Sequence, residues 1–471
     1  MQENFADATP EEIDLTLREA EGAFHFFRKL PGEKRADLLE AIAEGLEENS
    51  DEIVAIAEDE TNLGLPRLKM ELGRTIGETR HFAELARSNT WLESRSDKAE
   101  PDRNPFPKPA LQSRNVPLGP VVVIGACNFP IAISVVGTDT MSALAVGCPV
   151  IVKTHPRHPA TCALLGKIVQ EATTKTKMPK GTFAILHGEN HRVTRELVQH
   201  GLTKAVAFTG SLKGGRALAD IANARTEPIP FYAEMGSLNP LFVLPGALAE
   251  RTEEIAEGYV DAVNLFAGQM CTKPGILVAM ESQELDSFLK YLNQIVPERK
   301  PAPMLNADVL SNFEANVATL AEKTKVLAYS KKSPEAQSKD AACCLFRTDA
   351  SAFRNDPELR TEAFGPASLI LKARDEQELV TLAKELEGSL TASLHVGQGD
   401  EVLAKKLLPI LESKVGRILW NGFPPGVVPS PSTHHGGPWP ATTDSRHTSI
   451  GLYGYRRFVR QVCRQGFPDV D

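Results

Sequence analysis

The sequence predicts an α/β protein with a parallel sheet covered by helices on both faces, followed by a second α/β unit. Short apolar segments alternate with helical segments from residue 121 to residue 233, and a similar alternation begins at residue 241. Parallel strands need crossover helices and are buried on both faces, so they read as short continuous apolar runs. A chain of 471 residues is also too long for one hydrophobic core, which indicates two or three domains.

The first hundred residues are predicted to be helical. Thr9, Pro10 and Glu12 form a capping-box start, and apolar residues then recur at helical spacing as far as Phe27. Further helices are expected around residues 38–56 and 71–85. Residues 95–112 are rich in proline and mixed charge, which predicts a linker or an extended edge segment.

The parallel sheet is predicted from five short apolar runs and the helical segments between them. The strands are expected at residues 121–124, 150–152, 183–186, 205–208 and 231–233, with helices at 133–146, 161–174, 192–200 and 212–224. Ligands bind such sheets at the carboxyl ends of the strands. Polar residues that directly follow a strand are therefore candidates for a functional site.

The second unit is predicted to run from a strand at 241–243 to another at 369–371, followed by a strand at 390–396 and a helix at 401–411. Residues 420–440 form a long loop rich in Pro, Gly and His, which is typical of a functional loop. Residues 452–462 alternate apolar and basic residues and are suited to pairing with a neighbouring subunit.

Composition excludes several classes of protein. A formal net charge of −9 argues against nucleic acid as a partner. Seven cysteines without CxxC or metal spacing favour a reducing compartment, and the acidic N-terminus lacks the apolar core of a signal peptide, so we expect a cytoplasmic protein. Residues 115–138 carry no charge, but their prolines favour a buried strand and turn over a membrane span.

Cys271 is the leading candidate for a nucleophile. It lies in a short turn between a helix predicted at 255–266 and a strand predicted at 276–279, with Gly268 and Gly275 on either side. Glycines permit close approach of a ligand to the backbone. The sequence leaves open whether this cysteine is reactive or a small buried hydrophobic residue, because reactivity depends on its pKa.

Four further candidates follow strands. Asn128 could donate to an oxyanion or simply make a turn, and Lys153 could bind a ribose or phosphate or be a solvated lysine. Glu234, if buried, would have a raised pKa and could act as a general base, or it could form a structural ion pair. The segment with Gly210, Ser211 and Gly215 joins a strand to a helix and could accept a pyrophosphate, although a plain turn is equally compatible.

His434 and His435 are adjacent, and adjacent side chains on a helix or strand do not face one ligand. The surrounding prolines and glycines favour a loop, and no metal site is predicted.

Together these segments resemble the aldehyde dehydrogenase superfamily along nearly the whole chain. Six short motifs occur in the family's order: residues 128–130 (Asn-Phe-Pro), Lys153, residues 208–211 with Gly215, residues 234–237, residues 268–272 (Gly-Gln-x-Cys-Thr) and residues 362–366. The resemblance implies a Rossmann-type cofactor domain at 1–98 and 116–235, a catalytic domain at 236–445, and oligomerisation segments at 99–115 and 446–471. It also implies a homodimer or homotetramer.

The resemblance assigns roles to these residues. Cys271 is expected to attack the aldehyde, Asn128 to hold the oxyanion, and Glu234 to activate the water that hydrolyses the thioester. The pyrophosphate is expected at Gly210, Ser211 and Gly215. Lys153 is expected at the adenine ribose, Glu362 at the nicotinamide ribose, and Phe364 beside the cofactor.

Two departures bear on specificity. Many family members that prefer NAD have an acidic residue three positions after the lysine, where this chain has Pro156, and Arg157 or Lys213 could contact a 2′-phosphate. We therefore expect NADP or NAD, with NADP favoured. Residues 434–442 are similar to a subgroup that includes 2,5-dioxovalerate (α-ketoglutaric semialdehyde) dehydrogenases and NADP-dependent aliphatic aldehyde dehydrogenases.

The resemblance thus implies oxidation of an aldehyde to a carboxylic acid, with α-ketoglutaric semialdehyde as the expected substrate. A semialdehyde would need a cation at the pocket, such as Arg446 or another basic residue. The alternatives are a medium- or long-chain aliphatic aldehyde dehydrogenase, a CoA-acylating enzyme, or a catalytically silent nucleotide-binding relative.

Overall fold

The computed structural model describes residues 5–331 and 339–467 of the chain. The α-helices are Pro10–Phe27 (α1), Gly32–Glu48 (α2), Ser50–Thr61 (α3), Leu65–Ser88 (α4), Thr138–Val146 (α5), Pro159–Lys175 (α6), His191–Gln199 (α7), Leu212–Asn223 (α8), Pro245–Asn264 (α9), Gln283–Ile295 (α10), Ala307–Lys323 (α11), Ala350–Asn355 (α12), Glu376–Glu385 (α13) and Glu401–Glu412 (α14). Short 3₁₀ turns lie at Thr90–Leu92, Leu265–Gly268, Val296–Glu298, Pro357–Arg360 and Leu452–Phe458.

The β-strands are Arg95–Asp97 (β1), Leu111–Pro117 (β2), Val121–Ile124 (β3), Val150–Lys153 (β4), Phe183–Leu186 (β5), Ala205–Thr209 (β6), Phe231–Glu234 (β7), Leu241–Val243 (β8), Ile276–Met280 (β9), Ala302–Pro303 (β10), Lys325–Tyr329 (β11), Asp340–Ala341 (β12), Cys344–Asp349 (β13), Ala367–Ala373 (β14), Ser389–His395 (β15), Val415–Trp420 (β16) and Val459–Gln465 (β17). They confirm the predicted α/β class.

The first sheet is parallel and has five strands in the order β5-β4-β3-β6-β7. Its register sets Ile124 opposite both Lys153 and Phe208, and Thr209 opposite Glu234. The carboxyl ends of β3, β4, β6 and β7 therefore lie at one edge. This edge is where the strand-end candidates from the sequence meet.

Helices cover both faces of the first sheet. On one side, apolar residues of α2, α3, α4, α5 and α6 share a continuous core with alternate residues of β3 and β4. On the other, residues of α1, α7 and α8 pack against the remaining strand positions. The predicted capping box of α1 is present, with Thr9 accepting from the Glu12 amide and Glu12 accepting from the Thr9 amide.

The second sheet has seven strands in the order β11-β13-β14-β9-β8-β15-β16, and every pair is parallel except β11 with β13. It carries the strand that follows Cys271, which is β9. A smaller antiparallel sheet joins β1, β2 and β17, so residues 459–465 pair with β2 of the same chain. The Pro-rich segment includes part of this sheet, in keeping with the extended edge expected for it.

The predicted three-domain division remains a prediction, as does the oligomerisation role of its last two segments. The cofactor unit at 1–98 includes residues 1–4, the catalytic unit includes residues 332–338, and the final segment includes residues 468–471, all of which lie outside the described residues.

The helices that the structure describes include none with the length and hydropathy needed to cross a membrane.

One predicted helix begins too early. The sequence predicts a helix from residue 133, but residues 130–137 form consecutive turns and α5 begins at Thr138. The Glu71 carboxylate of α4 accepts hydrogen bonds from the Ile131 and Ala132 amides, at 2.8 and 2.9 Å. A buried carboxylate from a distant helix thus accepts hydrogen bonds from the backbone amides of this turn. The local apolar pattern of the sequence does not reveal that contact.

Candidate active site

The turn that carries Cys271 is formed by an unusual backbone. The helix predicted to reach Phe266 ends at Asn264, and Phe266, Ala267 and Gly268 then have φ values of 54°, 54° and 65°. A Cβ atom at residue 268 would lie 2.2 Å from the Gly365 carbonyl oxygen. Two features therefore require glycine at position 268: its positive φ, and its close contact with the 362–366 segment.

Buried amides hold this turn in place. The Nδ2 atom of Asn239 donates to the carbonyl oxygens of Cys271 and Lys273, at 2.8 and 2.9 Å. The side chain of Gln269 accepts from the Leu305 amide at 2.9 Å. Because the backbone on both sides of Cys271 is bound in this way, the position of its Sγ atom is defined by the surrounding protein.

Two side chains, Glu234 and His435, converge at the Sγ atom of Cys271. The Nε2 atom of His435 lies 3.4 Å from that sulfur and 3.1 Å from Oε1 of Glu234. The hydroxyl of Ser449 donates to Oε2 of Glu234. One ligand-type atom each from Glu234, Cys271 and His435 lies within 4.8 Å of the others, a cluster of donor types that could also hold a metal ion.

The 421–451 loop brings His435 and Ser449 to Glu234. The amide of Met235 donates to the Ala441 carbonyl at 2.8 Å, and Glu234 forms a bridge with Thr442. The loop therefore continues the first sheet beside β7. His434 and His435 lie in a loop, as the sequence favours, but the contact of His435 with Glu234 is not visible in the sequence.

The pKa of Glu234 is lowered, which corrects the raised value expected from burial. Burial alone raises the pKa of Glu234, but the charge of His435 and hydrogen bonds from His435 and Ser449 outweigh it. Burial and the neighbouring Glu234 charge instead raise the pKa of the Cys271 thiol well above its usual value. These two directions indicate a neutral thiol beside an ionised carboxylate in the resting state.

Asn128 lies just after β3 and is buried. Its Nδ2 atom donates to the Gln269 carbonyl at 3.2 Å, which brings the amide close to the nucleophile turn. Its backbone carbonyl accepts from the Arg67 guanidinium, whose plane lies over the rings of Phe129 and Phe266. An amide has two N–H donors, so one remains for an oxyanion formed at Cys271.

The other strand-end residues form a separate face suited to a dinucleotide. Lys153 ends β4, is 7% exposed, and makes no hydrogen bond or ion pair with any residue of the described chain, while burial lowers its pKa. Ser211 caps α8 by accepting from the Gly214 amide at 3.2 Å. A buried ammonium without an acceptor and an open helix N-terminus together fit ribose and phosphate groups.

Gly210 and Gly215 lie where β6 joins α8, in close contact with neighbouring residues. The Gly210 amide donates to the Glu234 carbonyl at 3.1 Å. A Cβ atom at residue 215 would lie 2.5 Å from the Met235 sulfur. These contacts let the start of α8 pack closely against the end of β7.

Glu362 reaches the end of the first sheet from the segment that precedes β14, and Phe364 lies in the same segment. A Cβ atom at residue 236 would lie 2.6 Å from Oε2 of Glu362, so this carboxylate lies against bare backbone. Lys273 is buried and donates to the Ala363 and Ala367 carbonyls at 3.0 and 2.7 Å. Burial lowers the pKa of Lys273 to about 8 and raises the pKa of Glu362 to about 7.

The sequence matches a known protein family along most of its length. Residues 2–438 match the family described as the aldehyde dehydrogenase family. The chain belongs to the aldehyde dehydrogenase family. It therefore oxidises an aldehyde with NAD or NADP as cofactor.

Curated relatives of this aldehyde dehydrogenase support the assignment. The chain is 42% identical to alpha-ketoglutaric semialdehyde dehydrogenase 2 of Azospirillum brasilense over 99% of its own length and 89% of the relative. It is 40% identical to alpha-ketoglutaric semialdehyde dehydrogenase of Acinetobacter baylyi, over 99% and 88% of the two chains.

Solved structures share the aldehyde dehydrogenase fold. A 1-pyrroline-5-carboxylate dehydrogenase from Thermus with bound NAD aligns with a TM-score of 0.80 at 23% identity, covering 98% of this chain and 86% of that one. Aldehyde dehydrogenase 21 from Physcomitrella patens, in complex with the reaction product succinate, aligns with a TM-score of 0.82 at 19% identity, covering 98% and 92%.

In this aldehyde dehydrogenase the predicted residues fall into two groups. Cys271, Glu234 and Asn128 meet at the nucleophile turn. The other predicted residues are Lys153 at the end of β4, Gly210, Ser211 and Gly215 where β6 joins α8, and Glu362 and Phe364 in the second unit, and their role in binding a dinucleotide stays a prediction. Sequence reasoning missed several supporting residues because their partners are distant in the chain: Arg67, Glu71, Asn239, Lys273, His435 and Ser449.

Proposed function

We propose that this aldehyde dehydrogenase oxidises α-ketoglutaric semialdehyde to 2-oxoglutarate, with NADP favoured over NAD. The observation that carries the proposal is the convergence of Cys271, Glu234 and Asn128 in a chain that is 40–42% identical to two alpha-ketoglutaric semialdehyde dehydrogenases. The thiol, the carboxylate and the amide supply the nucleophile, the base and the oxyanion donor that thioester chemistry requires.

In the first half-reaction Cys271 attacks the aldehyde carbon. Its thiol proton passes to the adjacent pair of Glu234 and His435, which lie within hydrogen-bond reach of the sulfur. The carbonyl oxygen becomes an oxyanion and accepts from the Asn128 amide and the Cys271 backbone N–H. Loss of a hydride from this tetrahedral adduct would leave a thioester on Cys271, and NAD(P), when bound, would supply the acceptor for that hydride.

In the second half-reaction Glu234 acts as the general base on water. Its lowered pKa keeps it ionised at neutral pH, and Ser449 and His435 orient its two oxygens. Attack of the water breaks the C–S bond, and Cys271 leaves as a thiolate that recovers its proton. A base beside the thioester favours hydrolysis over acylation of CoA, the alternative that the sequence left open.

Residues at the sheet edge would hold the cofactor. Lys153 would donate to the adenine ribose and the amides at the start of α8 would face the pyrophosphate near Gly210, Ser211 and Gly215. Glu362 would accept from the nicotinamide ribose, with Phe364 beside it. The Lys153 ammonium has no hydrogen bond or ion pair within residues 5–331 and 339–467, and the side chain is largely buried, which supports this assignment because a buried lysine without an acceptor is costly.

The preference for NADP is supported by residues near Lys153. Pro156 removes the carboxylate that would repel a 2′-phosphate. Arg157 already forms an ion pair with Asp308, whereas Lys213 is exposed and has no ion pair within the described ranges. Lys213 is therefore the better candidate for the phosphate.

The test compares kcat/KM for α-ketoglutaric semialdehyde with that for a long-chain aliphatic aldehyde, each with NADP and with NAD. We expect the semialdehyde to be favoured at least tenfold, with NADP as the better cofactor. A higher kcat/KM for the long-chain aldehyde would instead support the aliphatic alternative. A Cys271→Ala variant serves as the control and should form no NAD(P)H, and its retained activity would contradict the covalent mechanism.

A further inference from the structure

One face of α4 carries four charged residues, three of which bind the segment that follows β3. Arg67, Glu71, Arg74 and Glu78 follow one another at intervals of four, three and four residues, which places them on a single stripe of the helix. Arg67, Glu71 and Glu78 are all nearly inaccessible to solvent. The stripe packs on residues 128–138, the segment that begins with Asn128.

Three of the four have fixed partners in that segment. Arg67 donates to the Asn128 carbonyl, and Glu71 accepts from the Ile131 and Ala132 amides. Glu78 accepts from the Thr138 hydroxyl at 3.2 Å. These contacts satisfy part of the hydrogen-bonding capacity of the three side chains, although Nε and Nη1 of Arg67, Oε2 of Glu71 and Oε1 of Glu78 are buried without a partner in the described chain.

Arg74 differs from its neighbours because its guanidinium has no hydrogen bond to any residue in the described chain. Its Nε atom is buried without a partner, and its nearest carboxylate contact is 3.9 Å, from Nη2 to Oε1 of Glu78. Burial raises the pKa of Glu78, which weakens that carboxylate as a counter-charge. The Arg74 side chain is 24% exposed, so solvent or a ligand can reach it.

Arg74 lies on the helix face that packs against the segment lining the active-site cavity. It lies between Glu71, which binds residues 131 and 132, and Glu78, which binds residue 138. Residues between these contacts, including Ile133, line the cavity that reaches Glu234. The charge of Arg74 also acts on Cys271, where it opposes the rise in pKa caused by burial and by Glu234.

We infer that Arg74 binds the carboxylate at the end of the substrate remote from the aldehyde. This inference rests on the proposed function, since it assumes a substrate that carries such a group. An extended five-carbon chain spans about 5 Å between its terminal carbons. A guanidinium with free N–H groups is suited to bidentate recognition of a carboxylate.

Other arginines near the pocket are less suited to this role. Arg446, suggested by the sequence, is 79% exposed and already binds both oxygens of Asp444. Arg417 uses its two terminal nitrogens to bind the Gly426 and Pro424 carbonyls. Arg74 alone among these three lacks a hydrogen-bonded partner in the described structure.

The test uses Arg74→Met with two substrates of equal length, α-ketoglutaric semialdehyde and pentanal. The readout is kcat/KM for the semialdehyde divided by kcat/KM for pentanal. This ratio cancels any general loss of folded or active enzyme. We expect the ratio to fall about 100-fold, mainly through KM for the semialdehyde, because a buried charge pair loses one partner. Arg74→Lys should recover part of the ratio, and the matched control Arg446→Met should leave it unchanged.

An unchanged ratio in Arg74→Met would overturn the inference, and so would an equal fall in Arg446→Met. Failure of the proposed function has a different signature, because wild-type enzyme would then show no preference for the semialdehyde over pentanal. In that case succinic semialdehyde and butanal replace the first pair. A ratio for that pair that Arg74→Met does not lower would equally overturn the inference.

Discussion

Replacing His435 with leucine should shift the pH dependence of the reaction toward alkaline values. In the structure His435 Nε2 lies 3.1 Å from Glu234 and 3.4 Å from Cys271, and His435 itself is 1% exposed. Leucine is of similar size and keeps the site packed. The substitution therefore removes the imidazole contact while leaving Glu234 buried, so the electrostatic balance of that carboxylate changes.

The sign and size follow from the contacts of Glu234. Its folded pKa is lowered because His435 and Ser449 outweigh burial, so its base form persists until the pH falls below that lowered value. Without His435, burial dominates and the pKa rises. A hydrogen bond to a charged group contributes about 1.5–3 kcal/mol and one pKa unit corresponds to about 1.4 kcal/mol, which predicts a rise of about one to two units.

The assay is kcat as a function of pH for wild type and His435→Leu, under conditions where thioester hydrolysis limits turnover. The acidic limb should move up by about one to two pH units, and rates near pH 9 should approach those of wild type. A His435→Gln variant, which keeps a donor, should show a smaller shift. An acidic limb at the same pH in His435→Leu and wild type would refute the role assigned to His435.

Three further outcomes are expected. Lys153→Met should raise KM for NADP about 10- to 100-fold yet raise the thermal midpoint of the cofactor-free protein, because it removes a largely buried lysine whose ammonium has no partner within the described chain; a lower midpoint would contradict this expectation. Gly268→Ala should lower the free energy of unfolding by about 2 kcal/mol or more in urea titrations, since a Cβ atom would meet the Gly365 carbonyl at positive φ, and full stability would argue against that geometry. Zn²⁺ should inhibit in a manner reversed by chelators and should protect Cys271 from iodoacetamide, because a thiol, an imidazole and a carboxylate converge there; alkylation at an undiminished rate would exclude this binding.

The sequence was sufficient for residues whose position depends on local pattern. Asn128, Lys153 and Glu234 each follow a short apolar strand, and parallel strands bring their carboxyl ends to one edge. Cys271 was recognised from the glycines and strand around it. For these residues the chemistry and the local element are both encoded within a few positions.

The remainder depends on contacts between distant segments. His435 is separated from Glu234 by 201 residues, and neither its Pro- and Gly-rich loop nor the resemblance of residues 434–442 to a subgroup indicates this contact. The expected rise in the Glu234 pKa followed from burial alone and was wrong because this imidazole was not anticipated. The late start of α5 has a similar origin, since Glu71 binds the preceding turn across about 60 residues.

The central claim, that Cys271 forms a thioester which Glu234 hydrolyses, is tested most directly in a Glu234→Gln variant. The measurement is intact-protein mass after a single rapid mixing with α-ketoglutaric semialdehyde and NADP, with peptide mapping of the labelled residue. We expect one 2-oxoglutaryl group on Cys271, formed together with a stoichiometric burst of NADPH and lost only slowly. Steady turnover at the wild-type rate with an unlabelled Cys271 would contradict the claim that Glu234 hydrolyses a thioester on Cys271.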